Sequence, residues 1–343
     1  MNELRHLFVE YGLFLAKTLT VLVAIILLLG ALRRRSSSED GWIEVRSLNR
    51  RHRDMTEALR HSLAPRKKWW QFKRRAKQKP SDPAVGRLFV LSFHGDLHAS
   101  AVHALREELS AVLAVAGSGD EIAVRLESPG GLVSAYGLAA SQLHRVRQAG
   151  IPLTVLVDEV AASGGYLMAA VADRIVAAPF AVVGSIGVVS ALPNLNRWLK
   201  EQHIDYELHT SARFKRTLTL LGENTEEGRQ KFQEDIMAIH RHMVTFIQQH
   251  RPQLDMHQVA TGEHWLAQEA QELGLVDQLA TSDDYLLGRC QHMEGYAIRY
   301  RVHASWLDTW RQTMPFLNKL WRGSGLERMV PRRGLEPPRS FPH

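Results

Sequence analysis

The sequence predicts an α/β fold, and two observations carry that reading. From Arg87 onward, short apolar stretches of strand length alternate with longer stretches of helical period, in the order βαβα. The strand-like stretches run into glycine-rich turns, Glu127-Ser-Pro-Gly-Gly131 after one and Ser163-Gly-Gly165 after another.

Before that alternation begins, the N-terminal stretch Tyr11 to Leu32 is apolar apart from Lys17. About twenty such residues at 1.5 Å rise span the roughly 30 Å hydrocarbon layer, so a single transmembrane helix is expected within residues 1–32. A cleavable signal peptide fits less well: no small-x-small site is present, and Arg33-Arg-Arg35 follows the apolar run instead of preceding it. From Arg33 to Lys79 there are sixteen Lys/Arg against five Asp/Glu, whereas the whole chain is +7 and the remainder therefore about −4. The basic character belongs to residues 33–86, read as a basic linker. With Trp69, Trp70 and Phe72 among its cations, it suits anionic lipid head groups; a solvated, partly helical linker is the plainer reading. No nucleic-acid-binding fold surrounds it, so no specific nucleic acid is expected as partner. Positive charge after the helix argues for a cytoplasmic catalytic region.

Pro80-Ser-Asp-Pro83 ends the linker, and a catalytic domain is expected over 87–285. Leu88 to Phe93 reads as its first strand, and Ala101 to Ala116 as a helix with Leu105, Leu109 and Leu113 on one face. Strand Glu121 to Leu126, helix Ser134 to Gln148 and strand Leu153 to Val157 follow. A further apolar run, Ile175 to Leu192, contains Pro179, Gly184 and Gly187 and is read as buried strand and turn, not a second span. Asn224-Thr-Glu-Glu227 signals a helix start before an amphipathic segment with Phe232, Ile236, Ile239, Met243 and Phe246 in its stripe. Tyr296 to Val302 alternates like a strand within a C-terminal packing region, 286–322, whose aromatic stretch is Trp306 to Trp321; residues 323–343, rich in Pro, Gly and Arg, read as a disordered tail. The single Cys290 excludes an intramolecular disulfide framework.

Chemistry concentrates at Ser163, set in Asp158-Glu-Val-Ala-Ala-Ser-Gly-Gly-Tyr166. A hydroxyl between small residues at the mouth of a helix, where free N–H groups favour developing negative charge, suits a nucleophile. A tight turn with a buried serine is the competing reading. Pro129 and the two glycines after it can turn peptide N–H groups toward a reacting carbonyl, which with Gly164 N–H makes an oxyanion hole. Lys215, in Ser211-Ala-Arg-Phe-Lys-Arg-Thr-Leu-Thr219, is a general base if burial disfavours its ammonium form and a surface residue otherwise. A Ser/His/Asp triad competes, with His94, His98 and His264 open on spacing; His203 and His209 read as surface residues.

The motifs Glu127-Ser-Pro-Gly-Gly131, Ala162-Ser-Gly-Gly-Tyr166, Gly184-Ser-Ile-Gly-Val188, Phe214-Lys-Arg-Thr217 and Leu221-Gly-Glu-Asn-Thr225, in this order over Arg87 to Leu279, resemble the signal peptide peptidase A and SohB family of membrane-associated serine proteases. That resemblance implies Ser163 as nucleophile, Lys215 as base, Ser185 as the serine that orients the lysine amine, and the Gly130 and Gly164 amides as oxyanion hole, with Gly131 shaping the turn. It implies a Clp protease/crotonase-like spiral of ββα units and a ring- or dome-like homo-oligomer at the cell inner membrane, spanning it once. The activity implied is serine endopeptidase, acting on signal-peptide remnants or misfolded, membrane-associated polypeptides, with no metal or organic cofactor. Family members with an outward-facing catalytic domain oppose the sidedness that the charges suggest. A crotonase-like acyl-CoA enzyme and an inert membrane scaffold are the rival functions.

Overall fold

The computed structural model describes residues 11–22, 41–63 and 86–302. One compact unit runs from Ile43 to Arg301 and holds every site discussed below; a second comprises Met1–Trp42 and Val302–His343. Of the second, residues 11–22 are helical. Among the described residues no helix is long and apolar enough to cross a membrane. The rest of the expected span, the linker's residues 33–40 and 64–85 with Trp69, Trp70, Phe72 and Pro80 to Pro83, the stretch Trp306 to Trp321 and the tail lie outside the described residues.

In chain order the elements are β1 (Gly41–Ser47), α1 (Leu48–Leu63), β2 (Arg87–His94), α2 (Val102–Leu113), β3 (Glu121–Glu127), α3 (Val133–Gln148), β4 (Leu153–Val157), β5 (Val160–Ala162), α4 (Gly164–Ala169), β6 (Arg174–Ala177), β7 (Val182–Gly184), α5 (Asn196–Glu201), α6 (Glu226–His250), α7 (Met256–Val259), β8 (His264–Leu266), α8 (Ala267–Glu272), β9 (Gln278–Leu279), α9 (Ser282–Arg289) and β10 (Glu294–Val302). Seven strands form one sheet in the order β1-β10-β2-β3-β4-β6-β9, and β5-β7-β8 form a second. From β10 to β9 every pairing in the large sheet is parallel. A mixed α/β architecture around a parallel sheet is thus what the alternation of periods had indicated.

Parallel strands are covered on both faces, which is why they read as unbroken apolar runs. Phe89, Leu91 and Phe93 of β2 join Ile122, Val124 and Leu126 of β3 and Leu153, Val155 and Val157 of β4 in the major core. Their alternates Leu88, Val90, Ala123 and Leu156 face a smaller core with Tyr285, Leu286 and Met293. At the edge of that smaller core, Glu121 is buried, accepts from Tyr285 Oη at 2.6 Å and pairs with Arg289. A buried carboxylate is tolerable only when paired and hydrogen-bonded in this way.

Two expected boundaries shift. The segment read as linker supplies β1 and α1, and β10, from the expected packing region, sits between β1 and β2 in the main sheet. The compact unit accordingly begins at Ile43 instead of Arg87. The run Ile175 to Leu192 divides into β6, a turn and β7, followed by the partly exposed loop from Ser185. At α6 the start signal acts as read: Thr225 Oγ1 accepts from Gly228 N–H at 3.1 Å, filling one of the orphan donors of the first turn.

Candidate active site

The segments leaving β3, β5 and β7 converge on one cleft, which Gly131, Ser163 and Gly187 line in turn. The chain leaving β3 is stitched to β5: Ser128 N–H donates to Val160 O at 2.8 Å and Ala162 N–H to Ser128 O at 3.0 Å. That pairing carries Pro129 to Gly131 alongside Ser163. Gly130 has φ +90°, and a Cβ there would lie 2.8 Å from Ser163 Cβ and 2.9 Å from Gly164 N. Only glycine allows so close an approach at that backbone angle.

Ser163 stands between β5 and α4 with φ 53° and ψ −117°, a conformation costly for a residue with a side chain. The strain is held on both sides. Ser163 N–H donates to Gly184 O at 2.8 Å, and Ser163 O accepts from Leu167 N–H at 2.9 Å. Gly164 packs on the buried Tyr136 ring, where a Cβ would meet Cγ at 2.4 Å. The Ser163 side chain makes no hydrogen bond among the described residues and lines a cleft of about 420 Å³. Val133, Ala140, Leu167, Ile239, Met243 and Phe246 give that cleft apolar walls.

The N–H groups of Gly130, Gly131 and Gly164 lie in the turn and at the helix start beside Ser163. Those of Gly131 and Gly164 donate no hydrogen bond among the described residues. Gly130 N–H donates to Ser128 Oγ at 3.1 Å. This partner is local, a serine side chain two residues back, and it engages the amide that the family resemblance implied as an oxyanion donor. Gly131 is itself confined, since a Cβ would strike Leu97 O at 2.3 Å.

Ser185 directly follows Gly184, the residue whose carbonyl holds Ser163, and has φ 50°; its N–H donates to Glu263 O at 2.6 Å. Lys215 lies on an exposed stretch between α5 and α6, with its N–H bonded to Ala212 O at 3.1 Å, and it does not line the cleft. A desolvated lysine beside Ser163 is therefore not what this single chain displays. The stretch is anchored downstream: Asn224 Oδ1 accepts from Thr219 N–H at 2.8 Å, and Asn196 Nδ2 donates to Leu221 O at 2.9 Å. These contacts explain why Asn224 stands in the motif before α6.

The histidines open on spacing do not reach the cleft. His94 is exposed, 3.5 Å from Glu127, and His98 and His264 are exposed as well. Among the described residues the histidine lining the cleft is His242, beside Met243 on α6. Its spacing of three from Ile239 and four from Phe246, both in the apolar stripe of α6, is the signal that puts it on this face. No group of three or more His, Cys, Asp or Glu among the described residues is placed to hold a metal ion.

The sequence profile of the peptidase family S49 N-terminal region matches residues 6–143, and that of peptidase family S49 matches residues 145–292. A probable protease SohB of Haemophilus influenzae is 44% identical over 88% of this chain and 91% of its own length. The chain belongs to peptidase family S49. A probable protease SohB of Buchnera aphidicola is 53% identical over 62% of this chain and 64% of its own. Among solved structures, a membrane-bound stomatin-specific protease covers 60% of this chain and 85% of that one at 15% identity and a TM-score of 0.38. The S49 match extends beyond the Arg87 to Leu279 stretch at both ends and takes in β1 and α1. Peptide-bond hydrolysis is the activity this family and these relatives support.

Proposed function

We propose that this S49 peptidase is a membrane-anchored serine endopeptidase working through a Ser163/Lys215 dyad. The observation that carries the reading is Ser163 held at positive φ beside two unbonded amides, at the mouth of an apolar cleft. Lys215, as neutral amine, takes the Ser163 proton while Oγ attacks a peptide carbonyl, and Ser185 orients the amine. The Gly164 amide stabilises the oxyanion together with Gly131, which replaces Gly130 in that role because Gly130 N–H already has a partner. The leaving amine receives the proton from Lys215, and water deprotonated by Lys215 then releases the acyl group. The reaction as written uses no metal or organic cofactor.

Lys215 acts as base only where burial disfavours its charged form, and its loop is bare in one chain. Val189, Trp198, Leu208 and Phe214, all exposed, surround that region with uncovered apolar surface. A ring- or dome-like homo-oligomer covers this surface, brings the lysine loop against the cleft and limits access to extended polypeptide. The two sheets, joined where Ser128 bridges to Ala161, suit a Clp protease/crotonase-like spiral. Anchoring rests on the apolar run Tyr11 to Leu32, with signal-peptide remnants or misfolded membrane-associated polypeptides as substrates at the cell inner membrane.

The test is labelling by a fluorophosphonate probe together with cleavage of unfolded casein. Wild type is labelled and cleaves; Ser163→Ala and Lys215→Ala do neither. Unchanged cleavage in both variants removes the dyad, and acyl-CoA turnover without peptide cleavage would favour the crotonase-like alternative. A chain that is neither labelled nor active would be the inert scaffold.

A further inference from the structure

Helix α1 begins as part of the domain and ends as something else. In its first turn Leu48 packs on the smaller core, while Asn49 donates to Cys290 O at 2.8 Å and accepts from Gly295 N–H at 2.7 Å. Farther along, the face that started on the core continues without cover. Met55, Leu59 and Leu63, spaced by four residues and so stacked on one stripe, are 54%, 60% and 78% exposed. At 100° per residue, Arg51 borders this stripe on one side, and Arg60 and then Arg53 border it on the other. Asp54 and Glu57 fall on the opposite half of the helix. Arg50, Arg51, Arg53 and Arg60 make no ion pair among the described residues, so the cationic border is not neutralised from within.

An apolar stripe edged by unpaired arginines, with Asp54 and Glu57 off the stripe, is the pattern of a helix lying in a membrane interface. The stripe enters the boundary between head groups and acyl chains, and the cations meet anionic head groups. Beside it, a cleft of about 610 Å³ is lined by Arg46, Arg50, Arg51 and Arg299 together with Glu44 and Asp54, four cations to two anions. The sequence after Leu63 adds eight Lys/Arg and no Asp/Glu as far as Lys79. Chain length brings the helix to the bilayer. Only eight residues lie between Leu32, the end of the apolar run, and Gly41, the start of β1, and at roughly 3.3–3.6 Å per extended residue the nine steps span at most about 30 Å.

We infer that α1 is an interfacial helix that docks the peptidase domain onto the anionic surface of the membrane in which the chain is anchored. Met55, Leu59 and Leu63 are inserted, and Arg51, Arg53 and Arg60 meet the lipid phosphates. This rests on the proposed anchoring by Tyr11 to Leu32. An RNA, or a second copy of the chain, would be the other occupants of such a face; RNA gives the apolar stripe nothing to enter, and a second copy would set like-charged borders against each other.

The test uses the full chain in a Cys290→Ser background, reconstituted in lipid nanodiscs. A nitroxide is attached at Leu59→Cys or, as control on the far face, at Glu57→Cys. In discs of three parts phosphatidylcholine to one part phosphatidylglycerol, the Leu59 label should be shielded from an aqueous paramagnetic relaxant and open to oxygen, while the Glu57 label stays open to the relaxant. Shielding should weaken in phosphatidylcholine alone, in high salt and in Arg51→Glu/Arg60→Glu. Each cation removed should lower the docked-to-free ratio roughly fivefold. Thermal unfolding equal to that of the parent shows that the variants are folded. Equal exposure of both labels, with the chain still in the discs, overturns the docking and leaves the anchor standing; a chain that does not enter discs removes the anchor and the docking with it. Shielding that grows with protein concentration in detergent without lipid, or that needs added RNA, assigns the face to a second copy or to nucleic acid and also overturns the proposal.

Discussion

Ser128 Oγ and Tyr136 Oη lie 2.5 Å apart, and their other partners fix which one donates. Tyr136 gives its proton to Asp96 O at 2.9 Å, and Ser128 Oγ accepts from Gly130 N–H, so Ser128 must be the donor between them. This buried relay holds the Pro129–Gly131 turn against Ser163. Tyr136 also carries Gly164 on its ring, so one side chain braces both halves of the proposed oxyanion hole.

Tyr136→Phe keeps the ring and removes the relay. Ser128 Oγ and Asp96 O each lose a partner, at a cost of about 1–3 kcal/mol in unfolding free energy. The turn loosens, while the apolar cleft walls are unchanged. Peptidase assays should show kcat reduced about tenfold or more with KM little altered. Loss confined to KM would mean that the relay supports substrate binding instead.

Ser163→Ala should lower kcat/KM by about 10⁴-fold or more, as for removal of a nucleophile whose role no neighbour can assume. It should also relieve nothing in the fold, because the Ser163 hydroxyl has no partner among the described residues and alanine meets the same positive φ. Equal melting temperatures with lost activity are the expected pair of results.

At Lys215, substitution by arginine should be as damaging as substitution by alanine, since a guanidinium does not give up its proton at working pH. Because the lysine loop is exposed in one chain, activity per subunit should rise with protein concentration until the assembly is complete. Dilution series with sedimentation measurements would check this. Constant specific activity through dissociation would mean that one chain suffices.

The parallel sheet was legible because each strand is buried on both faces, so Leu88 to Phe93 and Leu153 to Val157 appear as apolar runs with glycine turns at their ends. Ser163 follows β5 instead, a three-residue strand of the second sheet that is too short to show as a period of its own after the run ending at Val157. The brace behind the Pro129–Gly131 turn was not legible, because Tyr136 reaches Asp96 O, forty residues away, through tertiary packing that spacing does not encode. β1 was missed because its sequence, Gly41-Trp-Ile-Glu-Val-Arg-Ser47, carries charges and lies at the sheet edge with much of it exposed, so charge statistics masked its pairing with β10. His242 went unnoticed because neighbours on α6, not its own context, bring it to the cleft.

Glu108, on α2, is 5% exposed, and burial pushes its carboxyl up to about 7, although Tyr300 N–H donates to Oε1 at 2.8 Å. Its folded value lies above the ordinary one of 4.5, so the folded state keeps a proton that the unfolded chain releases. The stability this contributes is fully present below pH 4.5 and lost as pH rises through about 7. Glu108→Gln keeps the acceptor and removes the titration. It should match wild type near pH 4 and exceed it above pH 7 by up to about 3 kcal/mol, read from denaturant unfolding at the two pH values.

The last prediction concerns the seam between α3 and α6. His250 Nδ1 faces Phe246 O at 2.9 Å, a carbonyl that can only accept, so Nδ1 bears the proton and Nε2 is left as acceptor. His144 Nδ1, 2.9 Å from that Nε2, must then be the donor. A proton added to His144 goes to its Nε2 and leaves this contact in place, so what opposes it is the surroundings of the ring. Burial, then His250 and Arg147, hold His144 below its ordinary value. The folded state therefore binds fewer protons than the unfolded chain just below pH 6.5, and stability should fall as pH drops from there. Phe246 caps this pair and lines the cleft, so KM for peptides should rise over the same range as the α6 wall loosens. In His144→Gln the pH dependence of the melting temperature between pH 8 and pH 5 should flatten, since glutamine can donate to His250 Nε2 without titrating. An unaltered slope would show that the acid sensitivity lies elsewhere in the fold.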